Sequence, residues 1–340
     1  MGLSRFDSPP LNPLRPKSLI WDTSPKGRGK SLPSNRESKT ILGDTMNNNT
    51  IYALGFFDGV HLGHQALLAA CRSLADADGC SAGAVTFTSH PDTLVAGKTP
   101  ALINTPEDRN MLLRQYHMDT VVQLPFDEQL MTMPWQDFIC LLRQDFGAAG
   151  FVCGHDFRFG HKGEGNAEIL MQYCRAAGLP CTVVPEQKLG GTTISSSHIR
   201  QLLQSGDLET ANRFLGHPHT LTGEVVAGRG IGRTMGIPTA NLKIDSSICL
   251  PMCGVYACLA QLDGKSYAAV TNIGSRPTVG GHHITVEPWL LDFDGDLYGK
   301  QLTLEFHRYL RQEKKFDSLE QLREEIQKNA LQTRKIFEKS

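Results

Sequence analysis

The chain lacks the marks of several protein classes. None of its nine cysteines forms a CxxC spacing, and the group Cys249, Cys253, Cys258 has no histidine cluster beside it. That argues against structural zinc and against a disulfide framework, and fits reduced thiols in a cytoplasmic protein. No apolar run approaches the ~20 residues of a membrane-spanning helix. Neither sign of charge dominates: the net charge is −1, so nothing global points to nucleic acid or to an anionic membrane. The phosphate-binding signatures GxxxxGK[ST] and GxGxxG are both absent, and there is no internal repeat.

What is present is ordinary in bulk and specific in places. The 340 residues are 40 % hydrophobic and 20 % charged, enough for two globular domains. Residues 1–48 differ from the rest. They are rich in Pro, Ser, Asn, Lys and Arg, show no sustained period, and read as a disordered or loosely attached extension. A transit peptide and an over-extended gene start, with Met46 just before the first strand, are both compatible with that composition.

From Thr50 to about Leu203 strand and helix patterns alternate. Strand-like runs at Thr50–Leu54, Ala82–Thr88, Thr120–Leu124, Gly150–Cys153 and Pro180–Val184 are separated by helical stretches such as Pro106–Tyr116, Pro134–Phe146 and Ala167–Ala177. Such alternation predicts a Rossmann-like α/β domain, a parallel sheet covered by helices, over residues 49–203. Asp207–Phe214 predicts a helical connector within residues 204–219. From residue 220 to 340, short β-type runs broken by Gly, Pro and Asp predict a small antiparallel barrel or sandwich. A terminal helix closes it, with Asp317 or Ser318 as N-cap, Gln321 at capping-box spacing from Ser318, and an apolar stripe of Leu319, Leu322 and Ile326.

The most informative segment is Gly55-Phe56-Phe57-Asp58-Gly59-Val60-His61-Leu62-Gly63-His64. It joins the first predicted strand to a helix, where a glycine-rich turn and the helix N-terminus make a phosphate cradle. His61 and His64, three apart on the first turn, face the same way. Two donors there suit a charged transition state on phosphorus; helix capping is the plainer alternative.

Three further clusters fall near the same predicted sheet edge. Phe87-Thr88-Ser89-His90-Pro91 ends a strand. Gly154-His155-Asp156-Phe157-Arg158-Phe159-Gly160 offers aromatics and glycines that could pack on a flat ring, or simply fill the core. Ser195-Ser196-Ser197-His198-Ile199-Arg200 opens a helix, where hydroxyls and an arginine can bind anions or merely cap.

The HxGH motif, followed by a serine-rich motif ending in Arg, resembles the HxGH nucleotidyltransferase superfamily. The longer pattern around it resembles the FMN adenylyltransferase (FAD synthetase) module of bacterial flavin enzymes. The resemblance implies attack of the FMN phosphate on the α-phosphorus of ATP, with pyrophosphate leaving. It implies that His61 and His64 stabilise charge there, and that Ser195, Ser196 and Arg200 hold the β- and γ-phosphates. Gly55, Phe57, Asp58, Gly59, Gly63 and Asp156 would line the nucleotide or flavin.

The second half carries its own pattern. Pro238-Thr239-Ala240-Asn241 places a hydroxyl and an amide oxygen two apart on an extended segment, hard ligands suited to Mg²⁺ already held by nucleotide phosphates. Gly228-Arg229-Gly230-Ile231-Gly232-Arg233 precedes it; alone it reads as a flexible hairpin. Glu287 lies in a β-type run, as a general base or a solvent-facing carboxylate.

With Asn272-Ile273-Gly274, Arg276-Pro277-Thr278, Asp292-Phe293 and Leu297-Tyr298-Gly299 in order, this half resembles riboflavin kinase. That implies an antiparallel barrel, Thr239 and Asn241 at Mg²⁺·ATP, a nucleotide-covering loop including Gly228, Gly232 and Arg233, and Glu287 accepting the riboflavin hydroxyl proton.

The two resemblances together span roughly residues 50–335, in the order of the bacterial bifunctional enzymes. They imply riboflavin, FMN, FAD and ATP as substrates or products, with no nucleic acid or membrane partner. A kinase whose first domain only regulates is the alternative, and a flavin carrier is the non-enzymatic one. The chain departs from the family pattern at Phe56, at Ser89, and at Pro288-Trp289, where Pro288 removes a strand donor beside Glu287.

Overall fold

The computed structural model describes residues 40–42, 49–97, 99–227, 236–278 and 281–338. In the first domain the main strands are β1 (Thr40–Leu42), β2 (Thr50–Leu54), β3 (Ser81–Phe87), β4 (Thr120–Leu124), β5 (Ala148–Gly154) and β6 (Cys181–Val184). They lie in the order β1-β4-β3-β2-β5-β6. All pairs are parallel except β1 on β4. The helices are α1 (Leu62–Asp78), α2 (Pro106–Gln115), α3 (Trp135–Phe146) and α4 (Ala167–Ala177). β2 is buried along its whole length, as a central parallel strand must be. Its carboxyl end therefore opens onto the crevice where ligands bind in such sheets.

Strand β1 corrects the reading of residues 1–48 as a disordered extension. Thr40, Ile41 and Leu42 pair antiparallel with Gln123, Val122 and Val121. Three residues are too few to show a period, yet a β-favouring triplet can still complete a sheet edge. Residues 1–39 and 43–48 lie outside the described residues.

Two helices follow, α5 (Ser196–Ser205) and α6 (Leu208–Leu215), and then a closed antiparallel barrel. Its strands are β7 (His219–Val226), β8 (Asn241–Lys243), β9 (Gly254–Leu262), β10 (Lys265–Thr278), β11 (Gly281–Leu290) and β12 (Gln301–Arg311), arranged β7-β8-β11-β10-β9-β12. Closure decides between the barrel and sandwich expectations, and leaves no open sheet edge. The barrel core is continuous with Ile199, Leu203, Leu208, Ala211, Phe214 and Leu215, so α5 and α6 plug the barrel rather than link it loosely.

Of the two expected caps, Ser318 opens the terminal helix α7 (Leu319–Phe337), its side chain accepting from the Gln321 N–H. The stripe differs from expectation. Leu319 is exposed, and the buried residues are Asn329, Ala330 and Thr333. The helix is anchored through its later turns against β9 and β10. There Asn329 accepts from the Arg311 guanidinium, a polar contact that apolar periodicity cannot reveal.

The domains meet through specific polar contacts. The Leu102 N–H donates to Ser247 O at 2.7 Å, and the Cys249 N–H donates back to Leu102 O at 2.7 Å. Thr222 donates to the Asp108 carboxylate at 2.7 Å, and the Asn104 amide donates to Thr220 at 3.2 Å.

Candidate active sites

The loop after β2 turns sharply. Phe57, Gly59 and Val60 all have positive φ, and Phe57 is fully buried. Its ring therefore belongs to the core beneath the loop, not to a ligand surface as expected. Gly55 begins the turn, its N–H bonded to Val85 O. At Gly59 (φ +81°) a Cβ would also come within 2.9 Å of Ile103 Cδ1. A Gly59→Ala variant is expected to lose about 1–3 kcal/mol of stability, read as a lowered denaturation midpoint; an unchanged midpoint would refute the strain.

His61 is the N-cap of α1, its Nδ1 accepting from the His64 N–H at 3.3 Å. Capping and phosphate chemistry are thus not alternatives. Because Nδ1 accepts, the proton of the neutral ring sits on Nε2, which is left to act as a donor. The two rings stack with centroids 3.7 Å apart. A Cβ on Gly63 would crowd the His61 ring at 3.2 Å, so glycine there lets the ring lie against the first turn.

Burial, partly offset by a backbone hydrogen bond, lowers the His61 pKa to about 4. Burial, with the neighbouring His61 and Arg109, holds His64 well below the usual value. Both rings are therefore neutral near pH 7. Buried His219 is likewise lowered, to about 3. In the unfolded chain these groups protonate near pH 6.5, so between there and about pH 4 the unfolded state binds more protons. Stability from these groups is therefore present above pH 6.5 and falls as pH drops, by up to about 1.4 kcal/mol per pH unit for each. Denaturant titrations at pH 7.5 and 5.5 check this. Equal stability at the two values would contradict it.

Asp58, expected at the nucleotide, is buried and faces inward. Its Oδ1 accepts from Ile103 N–H at 2.8 Å and its Oδ2 pairs with Arg200 at 2.6 Å. Ser196 donates to Asp58 O at 2.9 Å, and Ser195 caps α5. The serine–arginine motif thus meets the HxGH loop, as the order of motifs implies, with Asp58 as the clasp. Arg200 keeps its Nε without a partner. Asp58→Asn is expected to cost about 3 kcal/mol, because it strands a largely buried guanidinium. Thermal melting checks it, and a Tm equal to the parent's would show the pair to be incidental.

Asp156 is exposed in the turn after β5, at the same sheet edge. Phe159 packs on Trp135 and Phe138 in the core, so of the aromatics in that segment it is structural.

Two residues at this site escaped the sequence reading. His217 has Nε2 at 3.0 Å from Gly59 O, tying the HxGH loop to the segment entering the barrel. Arg109, on α2, is fully buried with its guanidinium carbon 4.3 Å from the Phe56 ring centre. Phe56, the departure from the family pattern, is thus half of a cation–π pair. The legible signal was that departure itself.

In the barrel, Leu242 on β8 opposes Val286 on β11, and the Ala240 N–H donates to Pro288 O at 2.8 Å. This antiparallel register puts Asn241 beside Glu287. On the other side of β11, Glu287 opposes Asn272. Val286 and Leu242 are buried in the core, so by strand alternation Asn241, Glu287 and Asn272 share the other face. Three polar side chains therefore form a row across β8, β11 and β10, at a separation of roughly 5 Å per step. Pro288 does not break β11, since its carbonyl is used by Ala240 and the strand runs on to Leu290. Thr239 is half-buried and Pro238 exposed just before β8. Gly228, Gly232 and Arg233 lie outside the described residues.

An α/β domain with a histidine pair at its sheet edge, followed by a closed barrel with a carboxylate–amide row, is the architecture of a two-domain transferase. Comparison with known proteins narrows this. The family model for FAD synthetase matches residues 44–198, and that for riboflavin kinase matches residues 215–337. Bifunctional riboflavin kinase/FMN adenylyltransferases of Listeria monocytogenes and Bacillus subtilis are 32 % and 34 % identical, over 86 % and 85 % of this chain and 93 % and 92 % of theirs. That of Escherichia coli K12 is 34 % identical, over 84 % of this chain and 92 % of its own. A crystal structure described as a macrolide-efflux protein from Streptococcus pneumoniae superposes with a TM-score of 0.76 at 29 % identity, covering 84 % of this chain and 94 % of that one. The chain belongs to the bifunctional riboflavin kinase/FMN adenylyltransferase family. Among the described residues no helix is long and apolar enough to cross a membrane.

Proposed function

We propose that the barrel phosphorylates riboflavin at Glu287 and that the α/β domain adenylylates the resulting FMN at His61 and His64. The observation that carries this reading is the pairing of Asn241 with Glu287 on one barrel face, in a chain that also stacks two neutral histidines at its sheet edge. Each domain thereby has reactive groups of its own, which favours two activities over a kinase with a purely regulatory partner.

In the first reaction the riboflavin 5′-hydroxyl oxygen bonds to the γ-phosphorus of ATP and the bond to the β–γ bridging oxygen breaks. Glu287 takes the hydroxyl proton and ADP leaves. In the second, an oxygen of the FMN phosphate bonds to the α-phosphorus of ATP, the α–β bridge breaks, and pyrophosphate leaves. His61 Nε2–H donates to charge growing on the phosphoryl oxygens, and His64 supports it. Ser195, Ser196 and Arg200 hold the β- and γ-phosphates as they depart. Catalysis here is positioning and electrostatics.

Mg²⁺ is the metal we assign to ATP. Among the described residues no cluster of three His, Cys, Asp or Glu could hold an ion alone. The neutral oxygens of Thr239 and Asn241 fit an ion that arrives with the phosphates. When bound, it neutralises phosphate charge. All nine cysteines are free thiols, in keeping with the cytoplasm as the proposed location.

The test is a product assay on the purified chain with riboflavin and Mg²⁺·ATP, separating FMN from FAD by chromatography. FMN followed by FAD is expected. FMN that accumulates with no FAD would overturn the adenylyltransferase half.

A further inference from the structure

Arg109 is a buried cation without an assigned purpose. It has no exposed surface. Its Nη2 donates to Phe87 O at 2.6 Å, while Nε and Nη1 have no hydrogen-bond partner. A buried arginine lacking a carboxylate partner is rare, because removing the charge from water costs several kcal/mol unless something compensates.

The neighbours do not supply that compensation. Asp58 is the nearby carboxylate whose field Arg109 feels most, but it is engaged by Arg200 and by the Ile103 and Asn104 N–H groups. Two guanidinium groups thus share one carboxylate. His61 and His64 are neutral, and His64 Nδ1 is itself buried without a partner. Glu107 exerts a weaker pull. Around the HxGH loop two guanidinium groups therefore rely on the one buried Asp58 carboxylate, and Arg109 Nε and Nη1 and Arg200 Nε have no hydrogen-bond partner. A site so arranged is electrostatically incomplete until an anion enters.

Position specifies where the anion would lie. Arg109 is aimed at the end of β3, where Phe87 anchors it. Its guanidinium carbon lies over the Phe56 ring, which in turn meets the His90 ring at a centroid distance of 4.6 Å. Arg200 reaches the same loop from α5. The two arginines therefore approach the HxGH loop from different elements. The cation–π contact with Phe56 uses no N–H group, so Nε and Nη1 keep their hydrogens unpaired.

Resting on the adenylyltransferase reading above, we propose that Arg109 is a phosphate-binding residue of that site, donating to an oxygen of one of the reacting phosphates. The ligand chemistry is a phosphate monoester or the α-phosphate of a nucleotide.

The experiment uses the full chain labelled with ¹⁵N-arginine, with the Arg109 Nε–H signal assigned by its loss in Arg109→Lys. Riboflavin, FMN and a non-hydrolysable ATP analogue are added separately. A shift with FMN and none with riboflavin assigns the acceptor phosphate; a shift with the ATP analogue assigns the donor. No shift with either phosphate ligand, or equal shifts with riboflavin and FMN, overturns the proposal.

Kinetics give the second readout. Arg109→Met is expected to lower kcat/KM for FAD formation about 100-fold, with KM rising for the ligand that moves the signal. Arg109→Lys is expected to recover part of the loss, and FMN formation by the barrel is expected to stay at the parent rate. Parent-like FAD formation in Arg109→Met sinks the proposal. A parent chain that makes no FAD sinks the functional reading instead, and the titration, which needs no turnover, still judges Arg109.

Discussion

Replacing Glu287 by alanine is expected to abolish FMN formation while FAD is still made from supplied FMN. The carboxylate lies between Asn241 and Asn272 on one barrel face, and no other acidic side chain shares that register row. Loss of a positioned general base costs about 10²- to 10⁴-fold in rate. Glu287→Gln keeps the shape and hydrogen-bonding reach while removing basicity, so it separates proton acceptance from packing. It is expected to fall nearly as far as the alanine variant. Chromatographic rates with riboflavin and with FMN as separate substrates measure both activities. Equal loss of the two would refute independent sites, and a glutamine variant with most of the parent rate would remove the base assignment.

The converse is expected at the histidine pair. His64→Ala should lower FAD formation by about 10²- to 10³-fold, the scale for removing one donor from a preorganised oxyanion site, with riboflavin phosphorylation intact. His61 needs a subtler substitution because its ring also caps α1. His61→Asn keeps a good capping oxygen and removes the Nε2 donor. If His61 only caps, the asparagine variant will adenylylate like the parent. If it donates to phosphate, the variant will stay folded and lose FAD formation. Circular dichroism with the two product assays tells these apart, and a parent-like His64→Ala would end the role proposed for the pair.

Local pattern gave the α/β alternation, the barrel and most helix limits. Thr120–Leu124, Ala167–Ala177 and Gly254–Leu262 have the borders that periodicity places on them. The helix buries one face and the two strands are buried along most of their length, so their apolar patterns are strong. The failures share a cause: partners distant in sequence. Thr40–Leu42 becomes a strand only because β4 offers an edge. Phe57 and Asp58 sit in a motif that promises ligand contact, yet one fills the core and the other clasps Arg200, 142 positions away. Arg109 carries no local mark at all among the polar residues of α2. Its burial depends on Phe56 and Phe87, from two other elements. A motif states which residues meet near the chemistry, but which of them face inward to hold the others depends on backbone torsions that spacing does not encode.

The cross-strand exchange at Leu102 bears on how freely this chain can be cut or recombined. Leu102 gives its N–H to Ser247 and receives one from Cys249, and its neighbours Ile103 and Asn104 hold Asp58. Part of the scaffold of the first active site is therefore encoded more than a hundred residues downstream, in the second domain. A fragment ending near residue 203 would carry every adenylyltransferase motif and still lack the strand segment that sets its loop. Exchanging halves between relatives would have to rebuild these two main-chain hydrogen bonds across the joint. In heritable terms the two enzymes are one unit, joined at a hydrogen-bonded seam as well as by the peptide bond between them.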